Sequence, residues 1–100
     1  MQTFTIRRRS NWADALELQE AAGRSTQVGN EEMSDKVRWI RSYVVQEEDG
    51  RLGTVCIYQA VDAAAIREHA ERAGLQADEI HPVVDTVIVR DDPVASEAVA

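Results

Sequence analysis

The stretch KVRWIRSYVVQEEDGRLGTVCIYQ, residues 36–59, decides the fold, because it reads as two strands joined by a tight turn. Asp49-Gly50 in its middle is typical of a type I′ hairpin turn, which needs positive φ at both central residues. Counting outward from this turn places Tyr43 opposite Cys56. The sequence therefore predicts a β-hairpin over residues 36–59 with a defined register.

The predicted register sorts the hairpin side chains into two faces, because successive side chains of a strand point to opposite sides. One face is mostly aliphatic and is expected to lie under helices: Ile40, Ser42, Val44, Val55 and Ile57. The other face, which we name the aromatic face, carries Trp39, Arg41, Tyr43, Val45, Thr54, Cys56 and Tyr58. We expect any function to lie on the aromatic face.

The composition indicates one small acidic domain of 100 residues, with a formal net charge of −7 and 44% hydrophobic residues. The negative charge disfavours nucleic acid and anionic membranes as partners. A single cysteine, Cys56, excludes an internal disulfide and is typical of a reducing cytosol. The N-terminus shows no signal-peptide core, and no apolar run approaches the roughly 20 residues of a membrane span. We therefore expect a cytoplasmic protein.

One basic run, Arg7-Arg8-Arg9, interrupts this acidic composition. We expect these arginines at a strand end, in solvent or paired with acids.

The remaining segments supply two helices and two further strands. The first half is expected to contain a strand over 2–8, a helix from a Ser10 or Asn11 cap to Gly23 or, alternatively, one turn further towards Val28, and a polar loop over 24–35 in which 31–33 can form one helical turn. After the hairpin we expect a helix over 63–73 between an Asp62 cap and Gly74, and a strand over 80–90. We expect residues 1–90 to form a single domain and residues 91–100 a flexible tail.

The order β-α-β-β-α-β predicts an α+β fold of the ferredoxin-like class. Right-handed crossovers place both helices on one face of a four-stranded antiparallel sheet, with the first and third strands in the centre. The helices would cover the aliphatic face of the hairpin and leave the aromatic face exposed, which requires a partner. We expect this partner to be a second copy, giving a homodimeric α+β sandwich or barrel.

Several runs resemble a known family: Ser42-Tyr43-Val44, Asp49-Gly50, Cys56-Ile57-Tyr58-Gln59-Ala60, Asp62 to Ala70 and Ala73 to Ile80. They resemble a bacterial family of small ferredoxin-like proteins of unknown function, also called nickel-responsive-protein-like. The resemblance covers roughly residues 39–84 and implies a dimer and, in some members, bound nickel. Many members carry a histidine near the end of strand one, where this chain has the arginine run.

The aromatic face supplies the first group of candidate site residues. A ligand pocket or dimer face is expected at Trp39, Arg41, Tyr43, Cys56 and Tyr58. Cys56 is alternatively a small buried hydrophobe. Arg41 has no acid predicted beside it and is expected to bind a small anionic molecule, or else to reach water along its apolar stem.

Two histidines form the second group. His69 on the second helix and His81 at the start of the fourth strand are possible nitrogen donors to nickel or another divalent transition metal. Each is alternatively a surface or half-buried histidine without a metal.

Three functions remain open on this basis. The first, which the resemblance favours, is a homodimer without enzymatic activity that binds a small ligand or a metal ion. The second is an enzyme of the dimeric α+β barrel type that uses Cys56, Tyr43 or His69. The third is a structural module whose aromatic face only dimerises.

Overall fold

A four-stranded antiparallel sheet and two helices make up the computed structural model, which describes residues 1–77 and 79–92. The elements are β1 (Gln2–Trp12), α1 (Ala15–Gln27), a π-helical turn (Val28–Glu32), β2 (Val37–Gln46), β3 (Leu52–Ala60), α2 (Ala63–Ala73) and β4 (Glu79–Pro82). The strand order β2-β3-β1-β4 places β1 and β3 in the centre. This confirms the predicted ferredoxin-like α+β class. The predicted tail lies, from residue 93 onward, outside the described residues.

The core lies between the sheet and the two helices. Phe4 and Ile6 of β1 are paired with Tyr58 and Cys56 of β3, and all four side chains are buried on the helix side. Ile66 of α2 packs in the same cluster and is completely buried. Burial of apolar surface in this layer is the main stabilising contribution to the fold.

The helix α2 has the ends that the sequence predicted. Asp62 Oδ1 accepts a hydrogen bond from the Ala65 N–H at 2.8 Å, which satisfies a free donor of the first turn. Gly74 follows the last helical residue with φ of 70°, a conformation that favours glycine.

The helix α1 begins later than predicted, and its end at Gln27 agrees with the longer of the two predicted ends. Its cap is Asp14 rather than Ser10 or Asn11, because β1 continues to Trp12 through an irregularity in its pairing with β3. Much of the predicted polar loop over residues 24–35 is instead the end of α1 and the π-helical turn. No helix in the described part of the chain is long and apolar enough to cross a membrane.

The hairpin loop has three residues, Glu48, Asp49 and Gly50, rather than the predicted two. The Gly50 N–H donates to the Glu47 oxygen at 3.0 Å, and of the loop residues only Gly50 has a positive φ, 84°. This is a type I turn followed by a left-handed residue. The longer loop shifts the pairing, so that Cys56 lies opposite Ser42 and the predicted register is wrong.

A register shift of one residue turns side chains to the other face of the sheet. The predicted faces of β3 are therefore reversed. The side chains on the helix side of β3 are Thr54, Cys56 and Tyr58, and those on the open side are Val55 and Ile57. Tyr43, opposite Val55, lies on the open face, so the predicted pair of Tyr43 and Cys56 is divided between the two faces.

The strand β4 is shorter than the predicted strand over residues 80–90. Its pairing with β1 ends at Pro82, opposite Phe4, and proline has no backbone N–H to donate to a neighbouring strand. The Val83 N–H makes one further bond, to the Thr3 oxygen at 2.8 Å. Residues 84–92 then leave the sheet, and Val84 is 94% exposed.

The left-handed position in the hairpin loop gives a test of the observed turn. A side chain at Gly50 would meet no atom within 4 Å, so Gly50→Ala introduces backbone strain alone and should lower the free energy of unfolding by about 1 kcal/mol. Gly23→Ala is the matched control, because Gly23 lies within α1 and also has open space. That substitution should raise the free energy by about 1 kcal/mol. Urea denaturation measures both, and no loss of stability in Gly50→Ala would contradict the turn.

Candidate functional site

A largely apolar cleft of about 430 Å³ opens between α1 and the helix side of the hairpin. Its walls include Leu18 and Ala22 of α1, Trp39 of β2, and Cys56 and Tyr58 of β3. Clefts of this size, lined by aromatic and aliphatic groups with a few polar groups, are typical of small-molecule sites.

The cleft exists because α1 turns small side chains toward the sheet. Ala21 and Ser25 are buried at this surface, and Ala22 lines the opening. The larger Leu16 points away and is 63% exposed. Short side chains cannot fill the space between helix and sheet, so a groove remains.

A bulge in β2 turns Trp39 into the cleft. Trp39 is paired with Tyr58 and Arg41 with Ile57, so β2 contains one extra residue, Ile40, between these pairs. The Trp39 and Tyr58 rings are stacked with centroids 6.0 Å apart and an interplanar angle of 9°. Bulges of this kind re-aim side chains near functional sites.

Arg8 lies in the wall of the cleft and is only 2% exposed. Strand alternation places it on the same face as Ile6. Its Nε donates to the Gln76 backbone oxygen at 2.6 Å, and its Nη1 donates to Cys56 Sγ, a weak acceptor, at 3.4 Å. Its Nη2 is buried and has no hydrogen-bond partner among residues 1–77 and 79–92. The sheet thus holds a buried guanidinium with few partners.

The two arginines beside Arg8 are paired with acids. Arg7 donates to both oxygens of Glu47, at 2.7 and 2.8 Å, and Arg9 Nε donates to Glu79 at 2.6 Å. These hydrogen bonds hold the pKa of Glu47 and the pKa of Glu79 below their usual range. The expected pairing of the arginine run with acids therefore describes Arg7 and Arg9, whereas the position of Arg8 was missed.

The thiol of Cys56 is buried among polar groups at the base of the cleft. Ser42 Oγ donates to Sγ at 2.9 Å, and Sγ donates to Thr54 Oγ1 at 3.3 Å. With Arg8 Nη1, these two hydroxyls account for the polar neighbours of the sulfur in the described structure. These contacts hold the thiol in place at the base of the cleft.

Ser25 of α1 joins β3 to α2 beside the cleft. Its Oγ shares a hydrogen bond of 3.0 Å with the Tyr58 hydroxyl, and its backbone oxygen accepts from His69 Nε2 at 3.0 Å. Burial raises the pKa of Tyr58 and lowers the pKa of His69, so both groups are neutral at pH 7. The buried Nδ1 of His69 has no hydrogen-bond partner in the described part of the chain.

Arg41 and Tyr43 meet an acid on the open face. Both side chains donate to Asp92 Oδ2, with the Tyr43 hydroxyl at 2.6 Å. The hydrogen bonds from Tyr43 and Arg41 hold the pKa of Asp92 below its usual range. The sequence predicted no acid beside Arg41. In the structure Asp92, in the segment after β4, lies there. Of the five residues expected in a ligand pocket, Tyr43 alone does not line the cleft.

A family model described as "Nickel responsive protein SCO4226-like" matches residues 4–83. The chain belongs to this family. Its structure is also similar to the one described as "Crystal structure analysis of SCO4226 from Streptomyces coelicolor A3(2)", with a TM-score of 0.69 and 23% sequence identity over 85% of this chain and 99% of that chain. This likeness shows the fold. No curated protein matches the chain.

The described residues of this SCO4226-like chain do not fit a nickel ion or another divalent metal. His69 contacts the Tyr58 ring on the helix side, with centroids 5.5 Å apart. His81 is exposed and paired with Thr5, whose side chain points to the open face. The two histidines therefore lie on opposite sides of the sheet. Within residues 1–77 and 79–92, no three His, Cys, Asp or Glu side chains are close enough to hold a metal ion.

The buried His69 predicts a pH dependence of stability. Its pKa is lowered in the folded state, so as pH falls below about 6.5 the unfolded chain binds a proton that the folded chain does not. The free energy of unfolding should therefore decrease by up to about 1.4 kcal/mol per pH unit in this range. Urea denaturation between pH 7 and 5.5 measures this slope.

Substitution of each histidine assigns the effect. His69→Gln should flatten the slope, whereas His81→Gln, at an exposed position, should retain it. An unchanged slope in His69→Gln would show that another group is responsible.

Proposed function

We propose that this protein is a small-molecule-binding protein and that its ligand occupies the cleft between α1 and the hairpin. The observation that supports this most is the cleft itself, which remains open beside a folded core and is lined by Trp12, Trp39, Leu18 and Tyr58. An open apolar cleft leaves part of this surface in contact with water, and a ligand would cover it.

Binding is favoured over catalysis by the surroundings of the thiol. Many nucleophilic cysteines are activated by a histidine or another base within hydrogen-bond reach. In the described chain the partners of Cys56 are two hydroxyls and a guanidinium. His69, the buried histidine of the core, is bonded instead to the Ser25 backbone oxygen.

An uncharged dye that fluoresces in apolar sites, N-phenyl-1-naphthylamine, tests this proposal. We expect saturable binding with one site per chain. Ala22→Trp should weaken binding at least tenfold, because Ala22 lines the opening and the indole would fill the cleft.

The matched control is Ala64→Trp, at an exposed position of α2. It should bind the dye as the unsubstituted protein does. Absence of saturable fluorescence, or equal binding by both variants, would contradict a ligand site in the cleft.

We also propose that the protein is a homodimer, because the segment after β4 exposes several aliphatic side chains. This segment is strongly β-forming, yet four aliphatic side chains in it are 76–94% exposed: Val84, Val87, Ile88 and Val89. Beyond the bond from the Val83 N–H to the Thr3 oxygen, the described structure shows no pairing of this segment with β1. A second copy would provide both strand pairing and apolar cover, and two-fold pairing is the commonest way to bury such a patch.

Light scattering tests the assembly. We expect twice the chain mass at high micromolar concentration, and a shift toward the monomer in the double variant Val87→Asp/Ile88→Asp. Leu16→Asp is the control, because Leu16 is an isolated exposed residue of α1. A monomeric unsubstituted protein would contradict the dimer.

A further inference from the structure

We infer that the ligand of the cleft is an amphipathic organic carboxylate whose head group is bound by Arg8. This inference rests on the proposed function and adds the chemical class of the ligand. It is drawn from the burial of Arg8, from its hydrogen bonds and from the charges around the cleft.

Burial of Arg8 is the first observation. A guanidinium keeps its positive charge throughout the biological pH range, and a buried charge is costly unless it is paired. Arg8 is 2% exposed and forms no ion pair in the described part of the chain, whereas Arg7 and Arg9 each pair with a glutamate. Among residues 1–77 and 79–92, Arg8 is therefore a buried cation without a counter-ion.

The hydrogen bonds of Arg8 are the second observation. Only the bond from Nε to the Gln76 oxygen has a strong acceptor, since Nη1 meets the Cys56 sulfur at 3.4 Å and Nη2 has no partner within the described residues. A carboxylate prefers two parallel N–H donors of a guanidinium. An incoming carboxylate would replace the weak contact between Nη1 and the Cys56 sulfur, and it would accept a hydrogen bond from Nη2.

The charges around the cleft are the third observation. The protein has 18 acidic residues, yet none in its described part lines the cleft, and the charged lining residues are Arg8 and Arg41. Arg41 is already paired with Asp92 on the other face. Arg8 is therefore the cation available to a ligand, and the neutral remainder of the cleft suits an apolar body with a single negative head group.

The experiment compares two ligands that differ in the head group, decanoate and decan-1-ol, as competitors of N-phenyl-1-naphthylamine. The alcohol partitions more readily into apolar surroundings, so a preference for the acid reports recognition of its charge. In the unsubstituted protein, decanoate should displace the dye at about a tenfold lower concentration than the alcohol.

Paired variants assign this preference to Arg8. Arg8→Met should abolish the preference, measured as the ratio of the decanoate and decan-1-ol concentrations that displace the dye from that variant. Arg9→Met should preserve it, because it removes the same charge from an exposed neighbour that is paired with Glu79. Where thermal denaturation shows that Arg8→Met is not folded, Arg8→Gln replaces it, since glutamine keeps a donor for the Gln76 oxygen.

Equal displacement by the two compounds in the unsubstituted protein would overturn the carboxylate while leaving an apolar binding site. A preference for the acid that persists in Arg8→Met or Arg8→Gln would overturn the role of Arg8. No dye binding in the unsubstituted protein would overturn the proposed function and this inference together.

Discussion

The length of the loop between β2 and β3 determines which side chains of the hairpin the helices cover. Three residues, with Gly50 in the left-handed conformation, set the register that turns Cys56 and Tyr58 toward the helices. With a loop one residue shorter, the same strands would present Val55 and Ile57 to the core. The cleft, its aromatic wall and its polar base all depend on this register.

Arg8 gives the cleft its chemical character. The helix side of β1 begins with Phe4 and Ile6, and the next residue on this face is a cation rather than a third apolar group. An apolar residue at this position would suit the core without burying a charge. Functional sites commonly retain groups that are unfavourable for stability alone, and the proposed carboxylate ligand accounts for this one.

Local sequence signals predicted much of the fold. The caps Asp62 and Gly74 identified α2, and the order of elements predicted the strand order and the placement of both helices on one face. The turn was harder to predict, because Asp-Gly is compatible both with a two-residue turn and with a three-residue loop that ends in a left-handed glycine. The extra residue Ile40 in β2 offsets the register shift before it in the strand. The Trp39 side chain therefore lies on the helix side, with Tyr58.

The candidate site was only partly predictable, because it depends on contacts between distant segments. Alternation along β1 was sufficient to place Arg8 with Ile6, but the run of three arginines was interpreted as a strand end in solvent or paired with acids. No sequence pattern indicates that Asp92 returns to pair with Arg41, or that the pairing of β4 with β1 ends at Pro82, opposite Phe4. The histidines were grouped by ligand chemistry, although alternation places His81 on the open face and helix packing buries His69.

A crystal structure of the protein with decanoate tests the central claim most directly. The account predicts the alkyl chain between α1 and Trp39, with the carboxylate about 3 Å from the guanidinium nitrogens of Arg8. Decanoate bound on the open face beside Arg41 and Tyr43, or in the cleft with its carboxylate directed away from Arg8, would contradict it.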